Sequence, residues 1–306
     1  MGFAEDVRHE LVEHAPSRAC CRAAFLSGLI RGAGSLQVRR GGELAAVVEL
    51  GHPAAARLAF SLLRERGADC EIVSYREHRF QRRNLVVLRV HGRRSLAVLG
   101  EVGVLSARGA PLPEPPRRVL ARACCRGAYL RGAFVVSGSV SAPRRAAHLE
   151  LRAPDLDHAR SLAAIAARNG IELRTASRRG HAIAYAKRRA AIRALLDQMG
   201  AEAAVLSLDE AAVVARMLEE ANRVTNCDRA NLERASSAAH RQREAIAALD
   251  VVSLPVGLRE VAQLRLSHPS SSFTELGQRA HPPLTKSTVV RRMRTLMRLA
   301  GEAHDC

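Results

Sequence analysis

The chain predicts an α+β fold in three parts: two αββαββα halves related by pseudo-symmetry, a helical linker, and an all-α C-terminal module. The first observation behind this is a repeat. Residues 18–38 read RACCRAAFLSGLIRGAGSLQV and residues 122–142 read RACCRGAYLRGAFVVSGSVSA, with ten identities in 21 positions at a constant offset of 104. An Ala/Arg-rich composition supplies some matches by chance, but not aligned Cys-Cys and Gly-Ser pairs, so the chain contains an internal duplication. The second observation is that each copy is followed by the same succession of β-rich runs and helical spacings. The third is that strand candidates stop near residue 205. The expected boundaries are therefore 1–205 for the duplicated domain (halves 1–106 and 117–205), 206–250 for the linker and 251–306 for the last module.

In the first half, β-rich runs at 36–39 and 44–50 follow the repeated helix, separated by Gly41-Gly42, a hairpin signal. Residues 53–66 carry helical apolar spacing through Leu58, Leu62 and Leu63, stopped by Gly67. Runs at 70–75 and 85–90 give two more strands, and 96–104 a closing helix. The second half reads as helix 121–136, strands near Val140 and at 148–152, helix 155–169 before Gly170, strands 172–177 and 183–186, and helix 190–199. Between the halves, residues 107–116 (ARGAPLPEPP) form a connector, because each Pro removes a backbone donor and fixes φ. In the linker, an amphipathic helix at 208–224 and another at 230–249 are expected, with Asn226-Cys227-Asp228 as a break and cap between them.

Composition narrows the partner. With 306 residues and 47% hydrophobic content the chain is globular. No apolar run approaches a membrane span, and residues 1–17 carry acids and His where a signal peptide needs an apolar core. A cytoplasmic, nucleoid-associated location is expected, with no membrane partner. Seven cysteines comprise the vicinal pairs Cys20-Cys21 and Cys124-Cys125 plus Cys70, Cys227 and Cys306. No CxxC or Cys/His ladder has zinc spacing, so the thiols are expected to pack as small buried apolar groups, with no metal and no cofactor. Net charge is +18, and 46 of 48 basic residues are Arg, a bias that fits a GC-rich genome. Residues 1–205 hold a net +16 and residues 206–306 a net +2. Such an excess points to a polyanion, most simply nucleic acid. An aromatic content of 3% argues against a single-strand binder that stacks bases.

The C-terminal module carries the candidate binding residues. A helix at 258–266, a second capped by Ser272/Phe273 and running to Arg279, a turn at His281-Pro282-Pro283-Leu284 and a third helix from Thr285 to about Leu299 have the spacing of a helix-turn-helix. Leu276, Ala280, Val289, Met293 and Leu296 are its expected core, and residues 258–299 have a net charge of +6. Thr285, Lys286, Ser287, Thr288, Arg291, Arg292 and Arg294 lie mainly off the apolar face of the third helix. They are the expected DNA-binding residues, the first turn at base edges and the arginines along phosphates.

Two resemblances extend this reading. Leu26-Ser27-Gly28-Leu29-Ile30-Arg31-Gly32-Ala33-Gly34 and Leu130-Arg131-Gly132-Ala133-Phe134-Val135-Val136-Ser137-Gly138 resemble the LAGLIDADG helix of homing endonucleases. That likeness implies a saddle in which two such helices pack at Gly28 and Gly132. It also implies an acid at the eighth motif position to hold Mg²⁺, where this chain has Ala33 and Ser137. Neither a methyl nor a hydroxyl replaces a carboxylate there, so no catalytic residue is assigned. The alternatives are an active endonuclease recruiting Glu43, Glu49 or Glu150, and a non-specific architectural nucleic-acid-binding protein. Beside the first-half strands stand Arg39, Arg76, Arg79, Arg82, Arg83 and Arg89, and in the second half Arg144, Arg145, Arg174, Arg178 and Arg179. On a saddle these could hold phosphates. Finally, Asn226-Cys227-Asp228-Arg229-Ala230-Asn231 with LREVAQLRLSHP, ELGQ and PPLTKSTV resembles the WhiA family of bacterial DNA-binding regulators over nearly the whole chain. This resemblance implies a non-catalytic regulator linked to cell division and chromosome segregation, and to sporulation in filamentous actinomycetes. Its partners would be double-stranded DNA and a further transcription regulator or RNA polymerase.

Overall fold

The computed structural model describes residues 2–38, 44–76, 84–178 and 180–302. The Gly41-Gly42 signal, Arg39, Glu43, Arg79, Arg82, Arg83 and Arg179 lie outside the described residues. The chain forms two compact units, residues 1–214 and 215–306.

The first unit opens with α1 (Phe3–Glu13), an element absent from the sequence reading. Val7, Leu11 and Val12 are its buried residues, a spacing that places them on one helical face. The first half continues with α2 (Ala19–Ala33), β1 (Gly34–Val38), β2 (Leu44–Leu50), α3 (Pro53–Glu65), β3 (Asp69–Arg76), β4 (Asn84–His91) and α4 (Arg93–Glu101). The second repeats this order in α5 (Ala123–Ser137), β5 (Gly138–Val140), β6 (Leu149–Ala153), α6 (Leu156–Ala167), β7 (Arg174–Arg178), β8 (His181–Ala186) and α7 (Arg189–Met199). Each half has an antiparallel four-stranded sheet, in the orders β1-β2-β4-β3 and β5-β6-β8-β7. The duplicated α+β architecture is thus the one the repeat predicts.

The repeated helices α2 and α5 pack backbone to backbone. A Cβ on Gly28 would run into the carbonyl of Tyr129, whose carbon would lie at 2.9 Å, and one on Gly132 into the carbonyl of Phe25, with the Leu29 nitrogen at 2.8 Å. Around this contact Phe25, Leu26, Leu29, Leu130 and Phe134 are fully buried. Both helices are covered on nearly every side, which is why neither shows a narrow apolar stripe. Arginines tie the surrounding segments to this pair. Arg31 donates twice to the Leu112 carbonyl at 2.7 and 2.8 Å, anchoring the Pro-rich connector. Arg131 donates to the Leu11 carbonyl at 2.8 Å and lies over the Phe25 ring, anchoring α1.

The linker differs from expectation. α8 (Glu202–Ala247) is one continuous helix, without the break expected at Asn226-Cys227-Asp228. No Gly or Pro falls within it, and Asn and Asp only weaken a helix when their side chains face solvent. Its first turn is capped from a distance: the Glu10 carboxylate of α1 accepts from the Ala203 and Ala204 amides at 2.7 and 3.2 Å.

The cysteines also depart from the expected pattern. Cys21 and Cys125 are buried, but Cys20 is only partly so and Cys124 is exposed. Vicinal residues on a helix point about 100° apart, so both thiols of a pair cannot face one core. The Cys125 thiol beside Cys20 holds the Cys20 thiol below its ordinary range, whereas burial pushes Cys21 and Cys125 up.

Gly28→Val and Gly132→Val are each expected to destabilise the first unit by several kcal/mol, at or above the ~1–3 kcal/mol of ordinary overpacking, since backbone must move. Gly32→Ala is the control. Its Cβ would meet only Val136 at 3.7 Å, so thermal denaturation should show it neutral or slightly stabilised.

Candidate nucleic-acid interface

The second unit contains α9 (Val256–Ser267), α10 (Phe273–Gln278) and α11 (Lys286–Glu302), packed with the last turn of α8. Leu276, Ala280, Val289, Met293 and Leu296 are all buried, so the predicted core is the observed one. Ser272 and Glu275 form a reciprocal capping box at the start of α10. The turn between α10 and α11 is pinned by the Leu284 amide donating to the Gly277 carbonyl at 2.8 Å. A Cβ at Gly277 would collide with the Leu284 carbonyl, so this turn requires glycine by close approach.

Polar contacts then fix the last helix and the loop before α10. Thr285 is its cap: the hydroxyl accepts from the Thr288 amide at 3.3 Å and lies 2.9 and 3.0 Å from the Thr288 and Ser287 hydroxyls. The Glu260 carboxylate of α9 accepts from the His281 amide at 2.8 Å and from Arg292 at 3.4 Å, joining the turn to α11. Arg265, only 3% exposed, donates to the carbonyls of Pro269 and Ser271 and lies over the Phe273 ring at 5.3 Å. Glu260 and Arg265 were not singled out in the sequence. A charged residue on the inner face of an amphipathic helix was the available signal.

The expected DNA-binding residues separate into two groups. Thr285, Lys286, Ser287, Arg291 and Arg294 line one open strip along α11, together with Val290, Thr295 and Arg298. Arg298 was missing from the expected set, although it follows Arg294 and Arg291 at helical spacing. Arg292 sits elsewhere. Its guanidinium reaches Glu260 and lies 3.1 Å from where a Gly257 Cβ would stand, so it braces α9. Thr288 is half-buried beside the Thr285 cap. The strip is therefore hydroxyl-bearing at the helix N-terminus, where backbone amides are unpaired, and cationic farther along.

In the first unit, the ends of the two motif helices carry no acid. Ala33 offers only a methyl, and the Ser137 hydroxyl donates to the Arg152 carbonyl at 2.8 Å, with the Ala133 carbonyl at 3.2 Å. Glu150 lies on the sheet face away from the core, paired in register with Tyr185. Burial raises its carboxyl, but His148 at 3.1 Å and Arg152 at 3.4 Å outweigh that and hold it below the usual range. Glu49 is exposed on β2. Of the basic residues beside the strands, Arg89 pairs with Glu71 at 3.6 Å, while Arg144, Arg145 and Arg174 are exposed. Arg76 and Arg178 end β3 and β7, their side chains outside the description. Among the described residues, the outer face of the first sheet also carries buried Ala45, Val47 and Val87. Cationic side chains thus do not form an unbroken lining there.

Known proteins resemble this chain along most of its length. Three family models match: the WhiA N-terminal LAGLIDADG-like domain over residues 19–105, the WhiA LAGLIDADG-like domain over 126–218, and the WhiA C-terminal HTH domain over 221–300. Among curated relatives, the probable cell division protein WhiA of Heliobacterium modesticaldum is 38% identical, covering 98% of this chain and 96% of the relative. That of Desulforudis audaxviator is 37% identical over 98% and 97%. The crystal structure of full-length DUF199/WhiA from Thermatoga maritima matches with a TM-score of 0.61 at 22% identity, covering 99% of both chains.

Thr285→Ala should cost about 1 kcal/mol of stability through the lost cap. Glu260→Ala should cost about 1–3 kcal/mol, because the His281 amide and Arg292 lose their common acceptor. Denaturant unfolding of the full chain measures both. A Glu260 variant as stable as the parent would mean that the turn is held by packing alone.

Proposed function

The chain belongs to the WhiA family, and from that premise we propose that it is a non-catalytic, sequence-specific binder of double-stranded DNA acting in transcription regulation linked to cell division and chromosome segregation. The observation that carries this reading is the open strip of α11, where Lys286 and Ser287 occupy the first turn and Arg291 and Arg294 follow on the same face. A helix presented by a turn in this way enters a major groove with its first turn at base edges. Ser287 and Arg291 are assigned to base reading, and Lys286 and Arg294 to phosphate. Arg292 is assigned to bracing, for the reason that it is engaged by Glu260.

The absence of catalysis rests on chemistry. A metal-dependent phosphodiester cleavage needs carboxylates that hold a hard cation against the scissile phosphate. At the two motif ends stand Ala33 and Ser137, and the nearby carboxylate Glu150 is engaged by a histidine and an arginine. Pure protein incubated with plasmid DNA and Mg²⁺ or Mn²⁺ is expected to give no nicking. Cleavage that disappears on Glu49→Gln or Glu150→Gln would overturn this part.

Specific binding is tested by footprinting and by titration against salt. Replacing Ser287 or Arg291 with Ala should cost about 1–3 kcal/mol and relax preference at one base position. Arg294→Ala should weaken all sites alike and reduce the salt slope by about one unit. Removing residues 251–306 should abolish specific binding. If the truncated chain still protects the same sites, the reader is the first unit and the assignment is inverted.

A further inference from the structure

The four cysteines of the repeated helices meet at one place. α2 begins at Ala19 and α5 at Ala123, so Cys20, Cys21, Cys124 and Cys125 all lie in first turns. The close packing of the two helices brings both turns together across the pseudo-twofold relation. The sulfurs of Cys20, Cys21 and Cys125 lie within 4.8 Å of one another. Cys124 is the fourth cysteine of the two first turns, exposed at the edge of this group. A purely apolar contact would not leave Cys124 exposed and Cys20 partly so.

The charges placed around the cluster are positive. Neither first turn contains an acid. Both present the positive end of a helix dipole at the thiols. Arg18 crosses from one half to the other, its guanidinium 3.8 Å from the Cys124 sulfur. Its counterpart Arg122 stands close enough to Cys20 to act on it electrostatically.

We propose that this cluster is a thiolate site for a soft d¹⁰ metal ion of the zinc class, held by Cys20, Cys21 and Cys125 with Cys124 completing the set. A tetrahedral zinc thiolate has metal–sulfur bonds of about 2.3 Å, so its sulfurs lie roughly 3.8 Å apart. The sulfurs of Cys20, Cys21 and Cys125 need to contract by no more than about 1 Å from their 4.8 Å limit, and the exposed Cys124 side chain has to turn inward to join them. On binding, each ligating thiol releases its proton to solvent as a metal–sulfur bond forms, and no electrons are transferred. The two helix ends and Arg18 and Arg122 offset the excess negative charge that several thiolates leave on the ion. Such a site staples the two halves at one end of α2 and α5, complementing the glycine contact farther along. Sequence spacing does not reveal it, because the ligands come from two vicinal pairs 104 residues apart rather than from a CxxC ladder.

The test uses the full chain, reduced and stripped of metal, titrated with Co²⁺ and then Zn²⁺. One Co²⁺ per chain is expected, with an intense thiolate charge-transfer band in the near ultraviolet, displaced by Zn²⁺. Cys20→Ser and Cys124→Ser change sulfurs at the outer edge of the cluster and should weaken binding roughly tenfold or more. Cys227→Ser, in the second unit and outside the cluster, should leave it unchanged. Because a cluster variant could unfold, the parent chain supplies a second measure. Zn²⁺ should protect Cys20 and Cys124 from alkylation while Cys227 continues to react, as read by peptide mass. Absence of the thiolate band, binding that survives the cluster substitutions, or unprotected Cys20 and Cys124 at saturating Zn²⁺ would each overturn the proposal. So would formation of a Cys20–Cys125 disulfide under mild oxidant in a chain that takes up no metal.

Discussion

The contact on which the first unit depends is the meeting of two helix backbones at Gly28 and Gly132. At this distance an intervening methyl group has nowhere to go, because what it meets is carbonyl oxygen and amide nitrogen rather than a flexible side-chain end. Close approach lets Phe25, Leu26, Leu29, Leu130 and Phe134 interdigitate around the seam, so one core serves both halves. The same approach sets the pseudo-symmetry, and it decides what lies at either end of the pair. At the N-terminal ends the vicinal cysteines converge. At the C-terminal ends stand Ala33 and Ser137, each followed directly by a strand.

This separation explains how an endonuclease-like scaffold persists without an endonuclease's acids. The packing requirement is met by glycine and by apolar side chains, none of which takes part in phosphodiester chemistry. An acid at either helix end contributes little to the seam, so its loss leaves the fold unstrained. Ser137 illustrates the point, since its hydroxyl donates to the Arg152 carbonyl and needs no ligand. Arg31 occupies a motif position within α2 and has become a bracket for the Pro-rich connector. Burial lowers its pKa, yet a guanidinium remains charged at any relevant pH, so the bracket is constant.

Much of this was legible in the sequence, and the failures have specific causes. The duplicated motif fixed the topology because the identical positions are those where packing allows little else: Gly28 with Gly132, and Leu26 with Leu130. Strand limits were found to within a few residues where the apolar run was continuous and β-rich, as in β2. α1 was missed because its first residues were judged only as a poor signal peptide, although Phe3, Val7 and Leu11 repeat at helical spacing. The break expected at Asn226-Cys227-Asp228 failed because cap-forming residues permit a helix end without compelling one. The metal-like grouping of cysteines was invisible because linear spacing carries no information about a contact made across a duplication.

The candidate interface shows why a charge count is a poor measure of DNA affinity. Of the basic residues in the second unit, several are spent on the protein itself. Arg265 holds the loop before α10, Arg259 donates to the Leu254 carbonyl at 3.0 Å, Arg279 to the Ser271 hydroxyl at 2.7 Å, and Arg292 to Glu260. Helical phase sorts the rest. Val289, Met293, Leu296 and Ala300 define the buried direction of α11, and Arg292 lies one step from Met293, within reach of α9. Arg291 and Arg294 fall on the far side of the helix, while Lys286 is exposed at its first residue. A positional rule that places every cation off the apolar stripe cannot make this distinction, because the flank of the stripe belongs to the neighbouring helix. The proposed salt dependence therefore follows from the few cations on the open strip, and the braced ones act only by holding that strip in place.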